Sequence, residues 1–123
     1  MPSTINSYRD LKVWENAVGL TVRIHKLVRG FPRADQFRIG DQLARSVFSI
    51  AANIAEGHGR RRPAEFVRFL DIANGSRCES ETALEVCVRL ELVDPAMKEE
   101  LLAECHEIGR MVTGLRRSLL KRN

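Results

Sequence analysis

QLARSVFSIAANIAEGHGR, residues 42 to 60, threads four polar side chains through an otherwise apolar helical pattern. Arg45, Ser49, Asn53 and Glu56 recur at spacings of four, four and three, so they form one stripe on a helix. Leu43, Val47, Ile50 and Ile54 form an apolar stripe about 120° away, and Ala44, Phe48, Ala51 and Ala55 form a third. Little of such a helix is expected to face water. A buried polar group without a partner costs on the order of 1 to 3 kcal/mol, more if charged. The stripe is therefore either an internal network or a site. As a network it pairs with Ser76, Glu79, Ser80 or Glu81 further along, within or between subunits. As a site it offers carboxylates and an Asn.

Punctuation on either side divides the chain into four helices, about 8–29, 41–56, 63–92 and 95–121, with 1–6 as a loose tail. Ser7 and Asp10 have the form of a capping box for the first helix, which Gly30 and Pro32 stop. Its apolar residues fall on two stripes, Leu11, Trp14, Val18, His25 and Val28 beside Val13, Ala17, Leu20, Ile24, Leu27 and Phe31. Two stripes predict two neighbours. A connector, 32–39, leads to the second helix, whose end carries Gly57 and Gly59, both suited to a left-handed turn. Pro63 opens the third helix, where Gly75 is expected to permit close helix approach. Asp94 and Pro95 start the fourth, in which Leu101, Cys105, Ile108, Val112, Leu115 and Leu119 repeat at spacings of four and three. Short loops between such helices imply an all-α, antiparallel up-down-up-down four-helix bundle. Helices 1 and 2 carry more apolar surface than one bundle needs, which predicts self-association.

The pattern Q-L-x-R-x-x-x-S-I-x-x-N-I-A-E-G-x-x-R, with FVRFLDIANGSRCESET at Phe66–Thr82 after it and DLKVW at Asp10–Trp14 before it, resembles the bacterial four helix bundle protein family. Members of that family were first noticed as products of intervening sequences in 23S ribosomal RNA genes. The resemblance runs from about Tyr8 to the C-terminus. It implies the bundle fold and, through the accessory variability determinant of diversity-generating retroelements, a barrel-like homopentamer whose relatives bind a reverse transcriptase and RNA. No reaction is implied. Against the family pattern, Ile39-Gly40 replaces a Leu-Thr start, Ala44-Arg45 replaces paired arginines, and Ala51 stands where Pro is common.

At 123 residues the chain suits one domain with a real core. Its longest uncharged stretch, Ser46–Ala55, is far short of the roughly 18 to 20 residues of a membrane span, and no apolar leader opens it. A cytoplasmic protein without membrane contact is expected. Cys78, Cys87 and Cys105 are odd in number and lack C-x-x-C spacing, so neither a disulfide framework nor a zinc ribbon follows. None of His25, His58 and His106 has the Glu three residues earlier that di-iron bundles use. His106-Glu107 lacks the second His of a zinc protease, and Ser49 lacks a nearby His. No catalytic residue, metal or cofactor is expected.

Charge gives the functional hint. Net charge is +4, with eleven Lys or Arg against five Asp or Glu in 1–62 and nine against eleven in 63–123. Arg60, Arg61 and Arg62 stand at the corner between helices 2 and 3, while Arg29, Arg33 and Arg38 flank the opposite corner. A triplet multiplied by ring symmetry would attract RNA or DNA with strong salt dependence and little sequence preference. The other reading of the same triplet is solubility. No aromatic platform for stacked bases and no recognition helix is visible. The expectation is a non-enzymatic homo-oligomeric scaffold that binds nucleic acid through Arg60, Arg61 and Arg62; the alternative is a protein-interaction module.

Overall fold

A computed structural model describes residues 7–121; the expected tail, 1–6, lies outside the described residues. Four long helices, α1 (Lys12–Arg29), α2 (Asp41–Gly59), α3 (Pro63–Arg89) and α4 (Pro95–Leu120), carry the fold, and no strand occurs among the described residues. Each packs on the helix before and after it in sequence, and α4 closes onto α1.

Cross-helix pairs show that neighbours run antiparallel. Along α2, Ser46 meets Ser80 at 2.9 Å and Ser49 meets Ser76 at 2.8 Å, so the partner numbers fall as those of α2 rise. Lys98 pairs with Glu85 at 2.9 Å near the start of α4 and Arg116 with Asp71 at 2.8 Å near its end. Asn16 and Met111 link α1 to α4 at one end, Arg23 and Glu100 nearer the other. Both termini of the bundle and the α2–α3 corner therefore share one end.

The core is the set the periodicity selects: Val13, Ala17, Leu20 and Ile24 of α1, Leu43, Val47, Ile50 and Ile54 of α2, Leu70, Ala73 and Leu84 of α3, and Leu101, Cys105, Ile108 and Val112 of α4. The other α1 stripe is only half covered: Trp14, Val18 and Val28 are intermediate and His25 is exposed. Leu11, at the start of that stripe, is buried, and Trp14, Val18 and Val28 pack against the same core.

Several local expectations are corrected. Ser7 accepts from Arg9 N at 3.1 Å, but it caps a separate 3-10 turn, Tyr8–Asp10, and extended Leu11 precedes α1. The connector 32–39 is wound: a helical turn, Arg33–Asp35, and a π-helical turn, Gln36–Gly40, run straight into α2. Gln36 explains why, since its amide donates to the Phe31 carbonyl at 2.8 Å and the Arg29 carbonyl at 3.1 Å, two acceptors at the open end of α1. Gly40 lets that turn lie on α1, because a Cβ there would stand 2.7 Å from Val28 Cγ1.

Neither Gly57 nor Gly59 takes a left-handed conformation; Arg61 does, at φ 60. Gly57 is instead the point of close approach, where a Cβ would meet Phe69 Cβ at 2.6 Å. Gly75, the expected contact, faces open space. α3 ends at Arg89, short of Leu92, through Glu91 at φ 61, with Leu92 N donating to Cys87 O at 2.9 Å and Glu91 N to Val88 O at 2.9 Å. Asp94 caps α4, accepting from Ala96 N at 2.8 Å and Met97 N at 3.0 Å.

Candidate nucleic-acid interface

The polar stripe of α2 is shifted from the expected one. Ser49 and Asn53 do face α3: Ser49 shares a hydrogen bond with Ser76, and Asn53 donates to the Ser49 carbonyl at 2.8 Å and hydroxyl at 3.0 Å. Their companions are Gln42, which donates to Glu79, and buried Ser46, which accepts from Ser80 and donates to the Leu43 carbonyl at 3.1 Å. Arg45 and Glu56 leave the seam. Arg45 is 79% exposed and pairs with Asp41 at 2.9 Å; Glu56 is exposed and pairs with Arg60 at 2.8 Å. Long charged side chains at a helix flank reach water, so they needed no buried partner. Ser46 was legible, because 42, 46, 49 and 53 keep spacings of four, three and four.

Glu81 faces the other side of α3. There it pairs with Arg77 and lies 3.6 Å from His106 of α4. Arg77 also donates to Asn74 at 3.1 Å, and its guanidinium crosses Gly109, where a Cβ would meet it at 2.8 Å. The expected network is thus two clusters on opposite faces of α3.

The arginine triplet is not three equal cations. Arg60 closes α2, bridges Glu56 and stacks over Phe69 at 5.0 Å, with Arg68 over the same ring at 4.6 Å. Arg61 follows in the left-handed region and Arg62 is extended (φ −129, ψ 129) before Pro63. Both are exposed, and neither forms an ion pair among the described residues. Glu65 feels this corner: its hydrogen bond from Arg68, then the charges of Arg68, Arg60 and Arg62, hold its carboxyl below the usual range. Two cations at the corner are therefore uncommitted. Across the same end, the last turns of α4 bring Arg116, Arg117 and Lys121. Arg29, Arg33 and Arg38 lie at the far end, so the two sets of arginines form separate patches.

No group of three or more His, Cys, Asp or Glu able to hold a metal occurs among the described residues. Burial pushes the Cys105 thiol up to about 12, with Glu81 adding to it, and the Cys87 thiol up to about 11; Cys78 is exposed. No helix among the described residues is long and apolar enough to cross a membrane. Among the described residues seven large apolar side chains are exposed, Phe37 (71%) in the π-helical turn and Phe48 (59%) on α2 the most.

Residues 9–114 match the family of 23S rRNA-intervening sequence proteins. The fold is similar to the crystal structure of a protein of unknown function from the S23 ribosomal protein family of Bacteroides thetaiotaomicron VPI-5482. The two share 27% identity and a TM-score of 0.80, over 85% of this chain and 95% of that one. No curated protein matches.

Proposed function

Because this chain belongs to the 23S rRNA-intervening sequence protein family, we propose that it is a non-enzymatic, self-associating scaffold that holds nucleic acid by backbone electrostatics, with Arg60, Arg61 and Arg62 at the contact. The observation that carries this reading is the α2–α3 corner, where Arg61 and Arg62 are exposed without an ion pair among the described residues. Arg60 has less to give, being tied to Glu56 and Phe69. Exposed Phe37 and Phe48 support self-association, since burying a large aromatic side chain yields about 1.5 to 3 kcal/mol. A barrel-like pentamer, the assembly implied by the sequence resemblance, would repeat the corner five times around one rim.

The same phenylalanines favour a second reading, a protein-interaction module whose outer α2 face takes an apolar partner. Salt separates the two. Light scattering coupled to size exclusion, with and without mixed-sequence RNA, should give an oligomer that shifts with RNA at low salt and loses the shift when Arg60, Arg61 and Arg62 become Ala. An oligomer indifferent to RNA would favour the protein partner, and a monomer would remove the self-association.

A further inference from the structure

The charged side of α3 has a feature that the corner does not explain. A trough of about 510 Å³ runs between α3 and α4, lined by Arg77, His106, Arg110, Thr113 and Arg117 with Gly109 and Gly114 between them. No carboxylate lines it. Glycine sets its depth: the Arg77 guanidinium fills the space a side chain at 109 would take, and nothing lies within 4 Å of a Cβ at 114. His106, Arg110, Thr113 and Arg117 recur at spacings of four, three and four, so they line one face of α4 over about 16 Å. The trough descends toward the end that carries Arg60, Arg61 and Arg62.

Its cations differ in availability. Arg117 forms no ion pair among the described residues. Arg110 is held by Glu107, with 3.1 Å from Nε to the carboxylate, and Arg77 by Glu81; both acids lie outside the trough lining. The Arg110 pair is exposed and three residues apart on one helix, a kind of bridge worth about 0 to 1 kcal/mol. A phosphate can replace it, because guanidinium binds phosphate in a two-pronged geometry. The trough is a single line of contacts along one face of α4 with Arg77 at its α3 edge, an arrangement that offers partners to one phosphodiester backbone.

We propose that the α3–α4 trough takes the phosphodiester backbone of a single nucleic-acid strand, with Arg110 and Arg117 as its phosphate contacts and Thr113 as a hydroxyl donor between them. The inference rests on the scaffold reading above and gives it a track: the strand leaves the corner at Arg61 and Arg62 and follows α4.

The test is fluorescence anisotropy of a labelled 20-nucleotide oligo-uridine on the full chain, across a salt series. Arg110→Ala/Arg117→Ala should weaken binding roughly tenfold or more at low salt and flatten the logarithmic salt slope by about 1.4, two phosphates at about 0.7 each. Gly114→Glu places a carboxylate in the trough and removes nothing. It exchanges glycine for a better helix former in open space, so the variant folds, and it should weaken binding as strongly. Gly75→Glu is the matched control, the same charge change at an open position elsewhere on α3, and should do much less.

If both trough variants bind like wild type while Arg61→Ala/Arg62→Ala weakens binding, the trough falls and the scaffold reading stands. Equal losses in Gly114→Glu and Gly75→Glu would mean net charge alone and would also overturn it. Poly-glutamate bound more tightly than oligo-uridine, and lost in the trough variants, would assign the trough to an acidic protein segment. Wild type that fails to bind oligo-uridine at low salt would end both.

Discussion

The corners before and after α3 share one backbone device and differ in charge. Arg61 stands at φ 60 and Glu91 at φ 61, each just past a helix whose last carbonyls accept from the turn. Around Arg61 stand Arg60 and Arg62; Glu91 is followed by Asp94 and, one turn on, Glu99 and Glu100, while the nearby cations Arg89 and Lys98 are both paired with Glu85. A left-handed residue with a side chain is strained relative to glycine wherever it occurs. The strain therefore says nothing about function, since both corners carry it. What distinguishes them is the side chain each holds out to solvent. The fold requires a turn at both places and leaves the charge free, so charge is what the proposed scaffold role has to distinguish between the corners.

Exchanging the charges breaks the comparison most directly. Arg61→Glu together with Arg62→Glu should weaken oligo-uridine binding roughly 10- to 100-fold near 50 mM salt, the scale expected for two lost phosphate contacts. Glu91→Arg should weaken it not at all, and anisotropy reads both. Equal losses at the two corners would remove the α2–α3 corner as the contact.

Packing beneath the corners is the next difference. Gly57 lies under the basic corner against Phe69, the ring on which Arg60 and Arg68 stack. In Gly57→Ala, overpacking of about 1 to 3 kcal/mol outweighs a helix gain of about 1 kcal/mol, giving a net loss of up to about 2 kcal/mol in urea unfolding. Gly75→Ala, in open space, should gain up to about 1 kcal/mol from the same substitution. That pair also marks what the sequence could tell. Periodicity and Pro63, Asp94 and Pro95 made four helices legible, because apolar spacing and stop signals are local. It could not say which glycine touches a neighbour, since contact depends on how two helices meet. The stripe on α2 failed for a related reason. Arg45-Ser49-Asn53-Glu56 and Gln42-Ser46-Ser49-Asn53 both fit a helix and share two members; only Ser76 and Ser80 opposite decide between them. Likewise the spacing of His106, Arg110, Thr113 and Arg117 is in the sequence, but Arg77 and bare Gly109 make it a trough.

The helix starts beyond the corners also differ. Asp94 caps α4 with two hydrogen bonds, whereas Arg62 gives α3 no side-chain cap and Pro63 merely lacks the donor that would need one. Asp94→Ala should cost about 1 kcal/mol in thermal or urea unfolding. Arg62→Ala should stay within about 0.5 kcal/mol. A comparable loss at Arg62 would mean that this arginine serves the fold.

Glycine at each corner separates backbone from charge most finely. Arg61→Gly and Glu91→Gly each relieve a left-handed side-chain residue, a strain of about 1 to 2 kcal/mol, against the greater freedom glycine has in the unfolded chain. Each should therefore gain roughly 0.5 to 1 kcal/mol, and the two gains should match, because φ is the same at both corners. Binding should not match: Arg61→Gly loses oligo-uridine affinity while its stability rises, and Glu91→Gly leaves affinity unchanged. A protein made more stable and less able to bind by one substitution would assign Arg61 to the contact, since a residue kept for the fold would move both quantities in the same direction.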